Sequence, residues 1–157
     1  MAQLLHGSDS FSGVAQKTSR RACRNVFGAV IAIFSLSATG CVTLKDAPNM
    51  ATLDVSFEWS ATDRCSSKSP SFDVRNVPSG TKTLEFRMVD LDVPGFNHGG
   101  GSVQYFGAAQ VTAGAFQYVG PCPPSGSHRY EFTVIAINES GDTALGRGKA
   151  MRVFPPR

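Results

Sequence analysis

The sequence predicts an all-β domain, an antiparallel Greek-key β-sandwich, over residues 52–157. Three observations lead to this fold class. The 157 residues include 16 Gly and 9 Pro, a content that is typical of many turns and short strands. Apolar residues alternate with polar ones in several segments, which is the period of a strand with one buried face. No segment after residue 41 has the 3.6-residue period of a capped helix, so little helix is expected outside the N-terminal segment.

The first strand of this domain is predicted from strict alternation, in which the apolar positions are Leu53, Val55, Phe57 and Trp59. Residues 42–51 before it are predicted to be a short tether. Residues 61–71 are polar and rich in turn formers, and residues 76–81 have the composition of a turn. A second strand is predicted over residues 83–91, with its apolar face formed by Leu84, Phe86 and Met88.

Further strands are predicted at residues 103–107, 115–119, 129–138 and 149–154. The strand at 129–138 is expected to be the longest and central in its sheet, because it becomes apolar on both faces toward its end. Two loops separate these strands: residues 94–102 (PGFNHGGGS) are predicted to be irregular, and residues 120–127 (GPCPPSGS) to be rigid. Residues 139–142 are predicted to form a hairpin turn.

Residues 1–41 are predicted to be a signal peptide of the lipoprotein type. Residues 17–24 are basic, residues 26–36 form an uncharged apolar run that is short for a transmembrane helix, and small residues follow up to Cys41. This order resembles the bacterial lipoprotein signal, in which cleavage precedes the cysteine and its sulfur is acylated, although Ala38 occupies the position where Leu is most usual. An ordinary signal cleaved near Ala38 or Gly40, or an uncleaved anchor helix, are the alternatives.

The signal predicts a protein of the bacterial cell envelope, anchored in a membrane by lipid and facing the periplasm. Val42 follows Cys41, and a residue other than Asp at this position favours the outer membrane. The charge distribution agrees with a leader, since residues 1–41 hold the whole formal net charge of +3. Residues 42–157 have equal numbers of acidic and basic side chains, which does not fit a nucleic-acid-binding domain.

Two cysteines, Cys65 and Cys122, remain once the leader and Cys41 are set aside. An exported chain folds in an oxidising compartment, so these two residues are predicted to form a disulfide. A zinc site is the alternative, but neither cysteine has the neighbouring Cys or His ligands that such a site requires.

Several ionisable residues fall at predicted strand ends, namely Asp90, Asp92, His98, His128 and Tyr130. If the strands at 83–91 and 129–138 are neighbours, their ends bring these side chains together. A carboxylate beside an imidazole favours the imidazolium form, which can donate hydrogen bonds to a phosphate or carboxylate. The residues therefore predict an anion pocket. The alternative is that the two aspartates only form a turn and the histidines lie on the surface.

Four separated motifs occur in an order that resembles the phosphatidylethanolamine-binding protein (PEBP) family, in particular its bacterial, Raf-kinase-inhibitor-like branch. They are VPSGTKTL at residues 77–84, DLDVP at 90–94, His98, and GPCPPSGSHRY at 120–130. The resemblance covers about residues 55–138. The sequence departs from the family pattern where Leu91 replaces a proline and where Gly99 replaces the tryptophan that follows the histidine.

The resemblance implies a PEBP-like sandwich with a small pocket for a phosphate or a phospholipid head group. By position, Asp90, His98, His128 and Tyr130 would line this pocket, and Asp92, Pro94 and Pro124 would frame it. The resemblance also implies that Cys65 is paired with Cys122.

The expected function is therefore that of a non-enzymatic, membrane-anchored binding protein with no cofactor, no metal and no catalytic residue. A protein-interaction or inhibitor module with a vestigial pocket is the alternative. A hydrolase that uses Asp90 or His128 as acid or base is a third reading, but the sequence lacks a recognisable nucleophile–base pair.

Overall fold

The structure, a computed structural model, describes residues 43–156. These residues form eight strands and one turn of 3₁₀ helix at Ala61–Asp63. The strands are β1 Lys45–Thr52, β2 Asp54–Phe57, β3 Phe72–Arg75, β4 Thr83–Asp90, β5 Gly100–Gln104, β6 Gln110–Val111, β7 His128–Ile137 and β8 Thr143–Phe154. Within this part of the chain, no helix is long and apolar enough to span a bilayer.

The strands form two sheets, one of five strands in the order β1-β8-β7-β4-β5 and one of three in the order β2-β3-β6. Strand β7 lies centrally between β8 and β4, as its apolar composition predicts. The predicted β-sandwich is confirmed, with one difference: β1 runs parallel to β8, whereas the other strand pairs are antiparallel.

Aromatic side chains from both sheets form the core. Alternation along β2 and β4 directs Phe57 and Phe86 inward, and both are buried. They meet Phe72 of β3 and Phe132 of β7, with ring centroids 4.8–5.4 Å apart. Aromatic pairs at such separations add stability beyond the burial of their area. The predicted apolar faces of the strands around Phe57 and Phe86 are therefore confirmed.

Residues 42–51, predicted to be a tether, contain a strand instead, since β1 begins at Lys45. The sequence of β1 does not alternate, because β1 is a largely exposed edge strand whose pairing with β8 is irregular between Asp46 and Ala51. Apolar and polar residues alternate only where one face of a strand is buried, so the sequence of β1 does not reveal that it is a strand.

The irregular loop predicted at residues 94–102 ends earlier, because β5 begins at Gly100. A Cβ at Gly100 would lie 1.8 Å from the carbonyl oxygen of Phe86, and one at Gly101 would lie 2.5 Å from Cβ of Phe116. These glycines therefore belong to a strand that approaches its neighbours too closely for any side chain.

Other differences concern strand lengths. Strand β8 begins at Thr143, six residues before the predicted start of the last strand, and its 12 residues make it longer than β7. Glycines at positions 146 and 148 interrupt the apolar pattern there, and a Cβ at Gly148 would lie 2.4 Å from the carbonyl oxygen of Leu53. The short strand β3 was not predicted, and the predicted strand at 115–119 is reduced to an isolated bridge between Lys68 and Gln117.

Candidate functional site

The end of β4 provides the first residue of the site. Asp90 continues the inward face of Leu84, Phe86 and Met88, so its side chain is buried although it is ionisable. Its Oδ1 accepts hydrogen bonds from the backbone N–H groups of Asp92 (2.8 Å) and Val93 (3.0 Å). This is an Asx-type turn, in which the carboxylate replaces a backbone acceptor as the chain leaves the sheet.

The start of β7 lies directly beside this turn. The antiparallel register pairs Asp90 with Tyr130, and the N–H of Leu91 donates to the carbonyl oxygen of Arg129. His128 and Tyr130 therefore face inward beside Asp90, because they are two residues apart on one strand. Nδ1 of His128 lies 2.7 Å from Oδ2 of Asp90, and the imidazole and phenol rings are stacked with centroids 6.2 Å apart.

His98 reaches the same place from the loop before β5 and is 4% exposed. Its Nδ1–H donates to the carbonyl oxygen of Val119 at 2.6 Å, while the N–H of Val119 donates to the carbonyl oxygen of His98 at 2.9 Å. This reciprocal pair fixes the imidazole edge-on to Tyr130, with ring centroids 5.4 Å apart.

The Pro/Gly loop forms the remaining wall, and a disulfide joins Cys122 in this loop to Cys65. The predicted disulfide is therefore confirmed. Two backbone hydrogen bonds reinforce it, from the N–H of Cys65 to the carbonyl oxygen of Pro121 and from the N–H of Gly120 to that of Ser66. A Cβ at Gly120 would lie 2.2 Å from the carbonyl oxygen of Ser66, so only glycine fits at this position.

These elements enclose a cavity of about 240 Å³ at one end of the sandwich. Its lining consists of Asp90, Val93, Phe96, His98, Val119, Gly120, Cys122, Pro123, Pro124, His128 and Tyr130. The structure thus brings together five of the seven residues predicted to bind a ligand, namely Asp90, His98, Pro124, His128 and Tyr130.

Asp92 and Pro94 do not line the cavity. The ends of the predicted strands were expected to bring Asp92 together with Asp90 in the pocket, but β4 ends at Asp90 and the Asx turn directs the two side chains apart. Its carboxylate instead pairs with Arg129, 2.8 Å from Nη2, and accepts the backbone N–H of Arg129 at 2.7 Å. Asp92 therefore joins the turn to β7 from outside the pocket, and the predicted pair of pocket carboxylates is reduced to one.

Three apolar lining residues outside the Pro/Gly loop were not among the residues predicted to bind a ligand. Val93, Phe96 and Val119 are 46%, 51% and 49% exposed, respectively, and form an apolar rim around the polar groups. They could have been found from the sequence, because large apolar side chains are unusual in turn-rich loops. Val93 and Phe96 lie between Asp90 and His98, and Val119 directly precedes the Pro/Gly loop. Phe96 also lies against the His98 ring, with centroids 4.6 Å apart.

The charges in the pocket depend on these contacts. Burial raises the pKa of Asp90, but the hydrogen bonds from His128 and from the backbone N–H groups of Asp92 and Val93 outweigh it, and the net shift is downward. Burial and the nearby charge of Asp90 raise the pKa of Tyr130 to about 12. At neutral pH the pocket therefore contains a carboxylate and a protonated phenol.

A second cavity, of about 460 Å³, is an open groove along β4 and β5. Glu85 and Arg87 in its wall form an ion pair at 2.5 Å, and both lie on the strand face opposite to the buried Phe86 and Met88. Convergent polar groups distinguish a binding site from a surface depression. The smaller cavity gathers Asp90, His98, His128 and Tyr130, whereas the two charged side chains of the groove are paired with each other. Among residues 43–156, no group of three or more His, Cys, Asp or Glu side chains could hold a metal ion.

Comparison with known proteins identifies the fold. Residues 97–153 match the family model described as phosphatidylethanolamine-binding protein. A crystal structure of a PEBP homologue from Chlamydia trachomatis has a TM-score of 0.51 and 19% identity to this chain, and it covers 68% of this chain and 99% of its own. YbcL of Escherichia coli, described as a new member of the mammalian PEBP family, has a TM-score of 0.52 and 16% identity, with 68% and 100% coverage. No curated protein matches.

These matches follow the motifs on which the resemblance was based, since the matched region contains His98, the Pro/Gly loop and the HRY triplet at residues 128–130. Both solved structures are bacterial proteins whose whole length is covered. Residues 43–156 therefore form a β domain with the phosphatidylethanolamine-binding protein fold.

Proposed function

We propose that this protein is a non-enzymatic binding protein whose pocket takes a phosphate-like anion, either free or as part of a phospholipid head group. One observation carries the proposal: two imidazoles and a phenol converge on a cavity of about 240 Å³, beside a carboxylate that orients one of the imidazoles. Anion oxygens are acceptors, so a site for them must supply donors.

The hydrogen bonds of the imidazoles favour this use. His128 donates through Nδ1 to Asp90, and His98 donates through Nδ1 to Val119. Among the described residues, no hydrogen bond engages Nε2 of either ring. When both ring nitrogens of His128 carry protons, Nδ1–H donates to Asp90 and Nε2–H is a charged donor for an anion. The protonated phenol of Tyr130 supplies a further donor.

The lining favours binding over catalysis. Covalent catalysis needs an activated nucleophile within reach of a base. The lining of the described cavity contains no Ser, Thr or Lys, and the sulfur of Cys122 is in the disulfide.

The proposal includes a membrane anchor. The basic, apolar and small-residue order of residues 17–41 supports acylation of Cys41, which lies outside the described residues. The protein would then be held at the bacterial cell envelope, facing the periplasm, with the outer membrane favoured by Val42. Three acyl chains would hold it firmly, whereas a single chain binds membranes only marginally.

A ligand titration followed by histidine NMR tests the pocket. Sulfate is a suitable first probe, because its charged oxygens only accept hydrogen bonds and so report on the donors of the pocket. We expect sulfate, inorganic phosphate and O-phosphoethanolamine to shift the ring signals of His98 and His128.

The apolar rim favours a second candidate, a protein-interaction module. Val93, Phe96 and Val119 are exposed around the pocket mouth, and exposed apolar groups of this kind occur at interaction sites. If none of the three anions shifts the ring signals of His98 or His128 at millimolar concentration, the anion proposal is wrong and this second function is the one to pursue.

A further inference from the structure

The two ends of the sandwich differ in what they contain. At one end, called here the pocket end, β7 begins and β8 finishes, since His128 pairs with Phe154. At the other, called the anchor end, β1 and β8 both begin, since Lys45 pairs with Thr143. The 12 residues of β8 run from one end to the other, a distance of about 35 Å at about 3.3 Å per residue.

The chain is fixed to the anchor end as soon as it enters the domain. Leu44 packs against Ile135, Ile137 and Ala144, and the N–H of Lys45 donates to the carbonyl oxygen of Asp142 at 2.8 Å. Only Val42 and Thr43 separate Leu44 from Cys41. The three residue steps from Cys41 to Leu44 span at most about 11 Å, far less than the length of β8.

We infer that a molecule anchored through Cys41 holds its pocket away from its own membrane and takes its phosphate-type ligand from solution. This inference rests on the proposed anchor and the proposed pocket, and it chooses between the two ligand sources. A head group of the anchoring leaflet lies in the layer of a few ångströms that flanks the hydrocarbon core. When the anchor end rests on the membrane, a pocket about 35 Å further along the strands does not reach that layer.

An exposed aromatic side chain marks the anchor end. The chain after β5 turns back there, with Gln104 paired to Thr83 and the N–H of Tyr105 bonded to the carbonyl oxygen of Lys82. The next residue, Phe106, is 87% exposed, the most exposed of the large apolar side chains described. Aromatic side chains are favoured at membrane surfaces, so Phe106 fits an end that faces lipid.

Energy transfer to the membrane tests the orientation. The full-length protein, with lipid at Cys41 verified by mass, is placed in phosphatidylcholine vesicles that carry a trace of lipid with a dansylated head group. Two variants, Phe106→Trp at the anchor end and Phe96→Trp at the pocket rim, act as matched donors. The single native tryptophan, Trp59, is buried and contributes the same background to both.

We expect several-fold more transfer from the Phe106→Trp protein than from the Phe96→Trp protein. Equal transfer, or more from Phe96→Trp, would overturn the orientation. A protein without lipid at Cys41 would overturn it as well and would leave the anion pocket standing.

Ligand binding then tests whether the ligand comes from solution or from the protein's own membrane. The dissociation constant for O-phosphoethanolamine is measured for the anchored protein in vesicles with and without phosphatidylethanolamine, and for soluble Cys41→Ser protein. We expect the same value in all three cases. Weaker binding only where phosphatidylethanolamine is present would show competition from the protein's own membrane and overturn the inference. If no form of the protein binds O-phosphoethanolamine, the proposed anion pocket is wrong, and so is the inference that its ligand comes from solution. The energy-transfer result still decides the orientation of the domain.

Discussion

Asp90 links the fold to the candidate site through a single carboxylate. One oxygen closes the turn after β4, and the other accepts the hydrogen bond from His128. A buried charged group is tolerated only when its hydrogen-bonding capacity is satisfied. The contacts that lower the pKa of Asp90 therefore also stabilise the native state, and the same residue prepares His128 to bind an anion.

The substitution Asp90→Asn should make stability less dependent on pH. Because the folded pKa of Asp90 is lowered, its contribution is fully present above the unfolded pKa of about 3.9 and is lost as the pH falls through the folded pKa. We expect Asn to lower the free energy of unfolding by about 1–3 kcal/mol at pH 7, and by less at pH 3. Urea denaturation at both pH values measures this, and a difference that stays constant with pH would contradict it.

The substitution His128→Ala should weaken anion binding and leave the fold intact. Loss of one charge-assisted hydrogen bond is expected to cost about 1.5–3 kcal/mol of binding free energy. The fold should survive because His128 lies at the end of β7 and its side chain is 17% exposed. Calorimetric titration with phosphate measures the effect. Lys149→Ala, which removes a cation paired with Glu131 away from the pocket, is the control and should bind like the original protein.

At the scale of single elements, β5 is a strand whose sequence does not alternate between apolar and polar residues. It reads GGSVQ and occupies the edge of the five-stranded sheet. Its first residue, Gly100, packs against the backbone of β4 so closely that no side chain fits there. The residue type is therefore set by this contact and not by whether the position faces the core. Glycine otherwise weakens a strand, and the close approach accounts for its presence here.

The substitution Gly100→Ala should therefore destabilise the protein by about 1–3 kcal/mol, the usual cost of overpacking. The added Cβ would lie 1.8 Å from the carbonyl oxygen of Phe86, which is backbone and cannot move aside independently. Gly95→Ala is the matched control, since nothing lies within 4 Å of its Cβ position, and it should stay within about 0.5 kcal/mol. Thermal unfolding of the two variants compares them, and similar melting temperatures would contradict the prediction.

The pocket wall depends on a covalent link between two loops that are distant in sequence. Cys65 and Cys122 are 57 residues apart, and closing a loop of this length stabilises the native state by about 4 kcal/mol on the chain-entropy model. We expect the double variant Cys65→Ser/Cys122→Ser to lose stability of this order. Guanidinium unfolding with and without reductant measures it. If reductant shifted the transition of the double variant as much as that of the original protein, the disulfide would not be the cause.

At the scale of the whole molecule, the net charge and the apolar run both belong to residues 1–41, while the remaining residues carry balanced charge. This asymmetry supports the proposal that residues 1–41 are a leader. We expect that the protein incorporates labelled palmitate in a bacterial host and that Cys41→Ser abolishes both the label and membrane retention. Cys23→Ser, which changes a cysteine within the leader, is the control and should leave labelling unchanged. Equal labelling of the Cys41→Ser protein would refute the anchor.

Much of the fold and site could be predicted because the informative patterns are local. A buried face imposes a period of two on a strand, so the inward residues of β2, β4 and β7 can be identified from neighbouring positions alone. The same period placed Asp90 on the inward face of β4 and His128 with Tyr130 on one face of β7. The disulfide was predicted from the two cysteines that remain outside the proposed leader, on the expectation that the chain is exported.

Only the tertiary structure decided the rest, because the causes lie in residues far apart in the chain. The parallel pairing of β1 with β8 was not predicted, because β1 is an edge strand with few buried side chains. Its sequence therefore lacks the alternation of apolar and polar residues that marks a strand. The glycines of β5 are explained by a backbone contact with β4 that no local pattern records. The turn after Asp90 directs Asp92 toward Arg129, away from the pocket. The sequence by itself therefore determined which side chains face inward, and packing between distant segments decided which of them meet.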